Sequence, residues 1–245
     1  MTRKLEGKIA LVTGGSVGIG LAAARSLVAE GAHVFITGRR QEELDAAVKD
    51  IGSSATAVRG DAGNLADLDR LFDTIKTQAG RLDVLVANAG IYEIQPLSEV
   101  TEATFDKTFN LNVRGLLFAV QKALPLLSDG SSIVLLGSIG GSKGFAGFSV
   151  YDATKAAVRS FARTWAAEFK DRKIRVNVVS PGPVATPGFD VFANDGLRAA
   201  LLGMIPLGRL GHVDDVAKAI TYLATDDSSF ITGIELFVDG GLAQV

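Results

Sequence analysis

Tyr151 and Lys155 stand four residues apart in Tyr151-Asp-Ala-Thr-Lys155, and on a helix that spacing brings a phenol and an ammonium to one face. A neighbouring cation favours phenolate over phenol. The pairing therefore predicts a Tyr151 pKa below its ordinary value of about 10, in reach of general acid-base work at neutral pH. A second group with chemical content lies near the start of the chain. The apolar run Ile9-Ala-Leu-Val12 leads into Thr13-Gly-Gly-Ser-Val-Gly-Ile-Gly20 and then the helical Leu21-Ala-Ala-Ala-Arg-Ser-Leu-Val28. Strand, glycine-rich turn and helix start make a dinucleotide site: the glycines let a pyrophosphate approach the backbone, and the helix N-terminus offers free N–H groups and a positive dipole end. The glycines fall at Gly14, Gly18 and Gly20, as G-x-x-x-G-x-G instead of the commoner G-x-G-x-x-G.

Together with Asn88-Ala89-Gly90, Asn112, Ser138 and the Pro181-Gly182 turn, these residues resemble the classical short-chain dehydrogenase/reductase family, from Gly7 to Gly241. The most specific component is the ordered set Asn112, Ser138, Tyr151 and Lys155, with Ser138 thirteen residues before Tyr151. The resemblance implies hydride transfer between a nicotinamide cofactor and a carbonyl/alcohol pair. Tyr151 would then donate or remove the proton and Ser138 would hold the substrate oxygen. Lys155 would lower the Tyr151 pKa and hold the nicotinamide ribose, and Asn112 would anchor a water linking Lys155 to solvent. Asn110 is a nearby decoy, since the Asn-Val-x-Gly context belongs to Asn112. The same resemblance sets Gly14, Ser16, Gly18, Ile19 and Gly20 against the cofactor, and Asp61-Ala62 at the adenine. It gives Asn88 the task of supporting the central sheet, with Gly90 letting the ribose approach and Ala89 also against the cofactor. Ile91 and Thr186 would flank the nicotinamide, with Pro181, Gly182 and Val184 shaping its pocket.

Cofactor choice is read at the end of the second strand, where an acid would bond the adenosine ribose of NAD and repel a 2′-phosphate. This chain has Ile36-Thr37-Gly38-Arg39-Arg40 there. Gly38 replaces the acid, and Arg39 and Arg40 can form charge-assisted bonds to a phosphate. The expectation is NADP(H), with NAD(H) as the alternative.

The elements that must position these groups are set by the apolar patterning. Strand-like runs appear at 9–12, 33–36, 56–58, 84–87, 133–136, 175–179 and 235–238, and helical periodicity fills most of the intervals. Alternation of this kind predicts an α/β fold, a Rossmann-like doubly wound parallel sheet of about seven strands with helices on both faces, in one domain over 1–245. Two long helices are expected, about Glu102 to Leu127 and Val150 to Phe169. In such a sheet ligands bind outside the carboxyl ends of the strands, and every motif above lies just after a strand.

The 245 residues are 47% hydrophobic, yet no run approaches the roughly 18 apolar residues of a membrane span. With a net charge of −2 the chain lacks the basic excess of a nucleic-acid or membrane binder. The first residues carry no apolar signal core, so a cytoplasmic location is expected. There is no cysteine, and His33 and His212 lack ligand spacing, so no metal site is expected.

The segment at about 187–206 is expected to cover the substrate. Phe189, Val191, Phe192, Leu197, Leu201, Leu202 and Met204, with Phe145 and Phe148, suggest an apolar pocket for a ketone or secondary alcohol. Tyr92 and Glu93 are possible polar contacts. An alternative is reduction of a 3-oxoacyl chain on acyl carrier protein: Arg172 matches a basic docking position, but Asp129 stands where a second Arg would be expected. A non-catalytic NADP-binding regulator is a third reading, disfavoured by the complete Asn, Ser, Tyr, Lys set. Apolar residues on several sides of the two long helices predict an interface. The resemblance implies a homotetramer, with these helices paired across one two-fold axis and the last helix and strand across another, and a dimer is the competitor.

Overall fold

The computed structural model describes residues 3–245, the side chain of Phe192 excepted. Seven parallel strands form one sheet in the order β3-β2-β1-β4-β5-β6-β7. They are β1 (Ile9–Thr13), β2 (His33–Gly38), β3 (Ala55–Arg59), β4 (Leu82–Ala87), β5 (Leu127–Leu136), β6 (Arg175–Pro181) and β7 (Glu235–Val238). Each expected strand is present, most of them longer by one or two residues. β5 gains six at its start, where pairing with β4 shifts register between Leu82 and Val84.

Alternate residues of each central strand enter opposite cores. Leu11, Phe35, Leu85, Ile133 and Val176 pack on one face, while Val12, Ile36, Val86, Val134 and Val179 pack on the other. Burial on both faces is why these strands read as continuous apolar runs. The first face is covered by α3 (Leu65–Ala79), α5 (Leu116–Ala123) and α6 (Ser149–Glu168), and the second by α1 (Gly18–Ala29), α2 (Gln41–Ile51) and α9 (Val213–Ala224).

The expected helix from Glu102 to Leu127 is not one regular helix. It comprises α4 (Glu102–Phe109), a π-helical stretch (Asn110–Gly115) and α5, and it stops at Ala123. Leu127 already belongs to β5. Gly115 shows what the widened turn achieves: a Cβ there would lie 2.4 Å from the Ala62 carbonyl oxygen, so glycine lets the helix press onto the loop after β3. The segment 187–206 forms α7 (Pro187–Phe192) and α8 (Asp195–Met204). Among the described residues no helix is long and apolar enough to cross a membrane.

Registry aligns the carboxyl ends of the central strands. Thr13 pairs with Ala87, Ala87 with Leu135, and Leu136 with Val179. The loops beyond them therefore open onto one edge of the sheet.

Candidate active site

Two adjoining cavities occupy that edge. The first, of about 350 Å³, is lined by every residue expected to meet the cofactor except the Pro181, Gly182 and Val184 group. Those three line the second cavity, of about 380 Å³, with Ser138 and a largely apolar wall. Ile19, Tyr92, Leu136, Tyr151 and Thr186 border both, so Tyr151 stands where the two meet.

The glycine-rich loop fits a dinucleotide. Gly14 and Gly18 have φ of 65° and 56°, and a Cβ on Gly20 would fall 2.1 Å from the Gly14 carbonyl oxygen. Val17 precedes α1 without any side-chain cap, which leaves the helix's first N–H groups for a ligand anion. Asn88 locks the loop from β4: its Nδ2 donates to the carbonyls of Thr13 (2.9 Å) and Gly14 (3.0 Å). Thr13 returns the bond, its hydroxyl accepting from the N–H groups of Asn88 and Ala89 at 3.0 and 3.1 Å. Thr13 was visible only as part of the motif; its buried hydroxyl acquires a partner only when β1 and β4 lie side by side. Asp61 lines the cavity and accepts from the Gly63 N–H at 2.9 Å, while the N-cap of α3 is Asn64.

At the β2 end the two arginines separate. Arg40 is paired with Glu43 at 2.5 Å, and Glu43 lies 3.5 Å from the Ser16 hydroxyl at the cavity wall. Arg39 is exposed at the mouth, next to a shallow cleft that also contains Arg59 and Arg70. Arg59 donates through Nε to the Arg39 carbonyl at 3.1 Å, which fixes the backbone beneath the Arg39 side chain.

Ser138, Tyr151 and Lys155 come together from two elements. Ser138 ends the loop after β5 and accepts from the Gly140 N–H at 3.1 Å; it lines the second cavity together with Tyr151. Lys155, on α6, is 5% exposed and donates to the Leu136 carbonyl at 2.8 Å. Its Nζ is 5.5 Å from the centre of the Tyr151 ring. Asn112 sits behind them in the π-helical stretch, 1% exposed. Its Nδ2 donates to the Ile91 carbonyl (2.7 Å) and the Thr154 hydroxyl (3.1 Å), and its Oδ1 accepts from the Ile91 N–H (2.9 Å). A Cβ on Gly90 would lie 3.3 Å from that Oδ1 and 3.6 Å from Lys155 Nζ, so both groups face the space Gly90 leaves open.

The expected lowering of the Tyr151 pKa is not what this arrangement produces. Burial pushes the phenol up to about 12; the Ser138 hydroxyl opposes the rise, and the Asp152 and Tyr92 charges add to it. The ammonium is too remote to reverse this and is itself pulled down to about 8 by burial. Sequence spacing gave the right face but not the dielectric around it.

Of the residues expected in the substrate pocket, Phe145, Phe148, Phe189, Leu197, Leu201, Met204 and Tyr92 line the second cavity. Val191 and Leu202 do not: they point outwards, 88% and 39% exposed, on the outer faces of α7 and α8. The Phe192 side chain lies outside the described residues. Glu93 is paired with Lys107. Leu242 also lines the cavity, and no sequence signal marked it because it arrives from the far end of the chain.

A Rossmann-like sheet with these two cavities at its carboxyl edge has room for a dinucleotide and, beside it, a second, smaller ligand. The family model described as "Enoyl-(Acyl carrier protein) reductase" matches residues 14–243. The chain is 45% identical to the oxidoreductase asL5 of Sarocladium schorii, covering 99% of this chain and 98% of the relative. It is 37% identical to the NADP-dependent (R)-specific alcohol dehydrogenase of Lentilactobacillus kefiri, covering 98% of each. Among solved structures, a blue fluorescent protein from a metagenomic library in complex with NADPH superposes with a TM-score of 0.93 at 36% identity, over 98% of this chain and 99% of that one. The chain belongs to the classical short-chain dehydrogenase/reductase family.

The depressed Lys155 pKa has a consequence for the protein without cofactor. Between about pH 8 and 10 the unfolded lysine holds more protons than the folded one, so this group's contribution to stability rises with pH across that window. Lys155→Met is therefore expected to be more stable than wild type at pH 7, with the gap closing as pH rises through that range. Tyr151 is common to both proteins and cancels. Thermal unfolding at pH 7 and 9.5 measures this; a wild type more stable than the Met variant at pH 7 contradicts the burial argument.

Proposed function

We propose that this chain is an NADP(H)-dependent ketone reductase, working reversibly as a secondary-alcohol dehydrogenase. The observation that carries the reading is the position of Tyr151: at the junction of the two cavities, sharing the second with Ser138, with Lys155 behind it. Bound NADP(H) supplies the hydride in reduction and accepts it in oxidation. Tyr151 gives its proton to the developing alkoxide, and Ser138 holds the substrate oxygen in line with it. A phenol protonated at neutral pH is in the right state to act as acid in reduction. Lys155 uses its remaining N–H groups on the cofactor side, and its charge favours the phenolate left after transfer. Asn112 keeps one Oδ1 lone pair beside Lys155, which suits a water that refills the proton.

Several further features support the reading. The substrate cavity is walled mainly by apolar side chains, and α7 and α8 cover it as parts of the same single domain. Thr186 joins this cover to the cofactor side: its Cγ2 is 3.6 Å from the Cβ position of Gly18, and its hydroxyl accepts from the Phe189 N–H. Arg39 is the residue we assign to a 2′-phosphate, since Arg40 is taken up by Glu43. Delivery by acyl carrier protein has less support: Arg172 is bound to Asp129 and to the Leu124 and Leu127 carbonyls. We place the enzyme in the cytoplasm as a homotetramer. Phe105, on α4, and Phe230, next to β7, are 44% and 103% exposed, and both suit burial against further copies.

Three measurements test this. Tyr151→Phe is expected to keep cofactor affinity while losing at least about a hundredfold in turnover on a confirmed ketone; Lys155→Met should lose both. Wild-type turnover in the Phe variant would remove Tyr151 as proton donor. For cofactor choice, kcat/KM should favour NADPH over NADH, and exchanging Gly38-Arg39 for Asp-Val should invert the ratio; an NADH preference in wild type contradicts the Arg39 assignment. Light scattering at micromolar protein should give four copies, and a fully active monomer refutes the assembly.

A further inference from the structure

Asp152 comes directly after the proposed proton donor in sequence, and apart from its charge helping to keep the Tyr151 phenol protonated it has no part in the chemistry above. Asp152 borders the substrate cavity, where it is the only charged residue among the described lining residues. Oδ2 accepts from the Phe145 N–H at 3.3 Å, and Oδ1 is shielded from solvent with no hydrogen-bond partner. Gly140 accounts for the placement. A Cβ on it would lie 2.0 Å from Asp152 Oδ1, so any larger residue would expel the carboxyl from the wall. The same point is 3.5 Å from Ser138 Oγ. The carboxyl and the hydroxyl assigned to the substrate oxygen therefore both lie against Gly140.

Holding a half-satisfied carboxyl in an apolar wall is unfavourable unless a ligand completes it. Burial pushes its pKa up to about 6, so the group remains mostly ionised at neutral pH and acts there as an acceptor. Rotation of a carboxyl about its terminal bond is broad and twofold, which lets either oxygen turn to a ligand. A ketone bearing a carboxylate would meet like charge, whereas one bearing a donor would supply the missing bond. Phe145 and Phe148, edge to face at 6.4 Å, leave the rest of this wall to an apolar or aryl group.

We propose that Asp152 is a specificity-determining residue that selects hydroxy ketones, accepting a hydrogen bond from a hydroxyl one or two carbons from the carbonyl held by Ser138 and Tyr151. The inference rests on the ketone reductase reading. It is tested with 2-hydroxyacetophenone, its O-methyl ether and propiophenone, which share the carbonyl and differ in the donor. Wild type should favour the hydroxy ketone in kcat/KM by at least about tenfold over both. In Asp152→Leu the preference should fall to within about twofold. Asp152→Asn keeps the shape and an oxygen for Phe145 but offers an amide donor, and should rank the ether at least level with the hydroxy ketone. No preference in wild type, or a preference that survives in both variants, overturns the proposal. If none of the three ketones is reduced with either cofactor, the ketone reductase reading fails, and calorimetry on wild type and the Asn variant with NADP⁺ still decides Asp152. Tighter binding of the hydroxy ketone than of the ether, lost in Asn, supports it; equal dissociation constants overturn it.

Discussion

The constraint on which the site depends is an ammonium placed where water is scarce. Lys155 is almost fully buried and has one protein acceptor, the Leu136 carbonyl. Removing an ammonium from water costs several kcal/mol, and one charge-assisted hydrogen bond returns about 1.5–3 kcal/mol. The surroundings must therefore be rigid enough to keep the side chain from escaping to solvent. Leu136 ends β5, whose pairing with both β4 and β6 fixes that carbonyl. Gly141 lets the loop after β5 close on the helix, since a Cβ there would lie 3.0 Å from the Lys155 carbonyl carbon. A buried cation with spare N–H groups suits a site that binds hydroxyls, because the ligand restores what burial withdrew.

Much of this was legible in the sequence because it rests on local chain properties. Seven apolar runs gave seven strands, and the positive-φ glycines of the first loop gave the dinucleotide cavity. The Tyr151 and Lys155 spacing gave a shared helix face. The unreadable part was set by distant neighbours. The pKa of Tyr151 depends on how much of the ring is covered by residues as remote as Tyr92, whose ring meets it edge on at 5.9 Å. Leu242 lines the substrate cavity only because the C-terminal segment folds back on Ile139 and Ile205. Outward-pointing Val191 and inward-pointing Phe189 differ by two positions on a short helix, a distinction that composition alone does not make.

The β2 end illustrates how a neighbour changes the meaning of a charge. Two adjacent arginines look equivalent in sequence, yet Glu43, one turn into α2, neutralises Arg40 and leaves Arg39. Glu43 also reaches towards Ser16 at the cavity wall. An acid at this rim opposes a phosphate dianion unless it is paired, so the Arg40–Glu43 bridge has a use beyond its small contribution as an exposed pair. On the NADP(H) reading it removes a repulsion, while Arg39 supplies the attraction with Arg59 nearby; Arg70, in the same cleft, is held by Asp67 at 2.9 Å.

The π-helical stretch joins the cofactor side of the site to the catalytic helix. A helix running regularly from Glu102 to Ala123 would carry Asn112 on a different azimuth, because each extra residue in a turn rotates all later residues by about 100°. With the wide turn, Asn112 faces inward and its amide bonds both the Ile91 backbone, beyond β4, and Thr154, on α6. Thr154 in turn donates to the Tyr151 carbonyl at 2.6 Å. One side chain thus ties the loop beside the cofactor cavity to the helix that carries Tyr151 and Lys155. Gly115 allows the turn to seat against Ala62, so the departure from helical regularity is supported on its far side by the loop that also carries Asp61. The irregular helix is the part of the fold that holds both cavities in register.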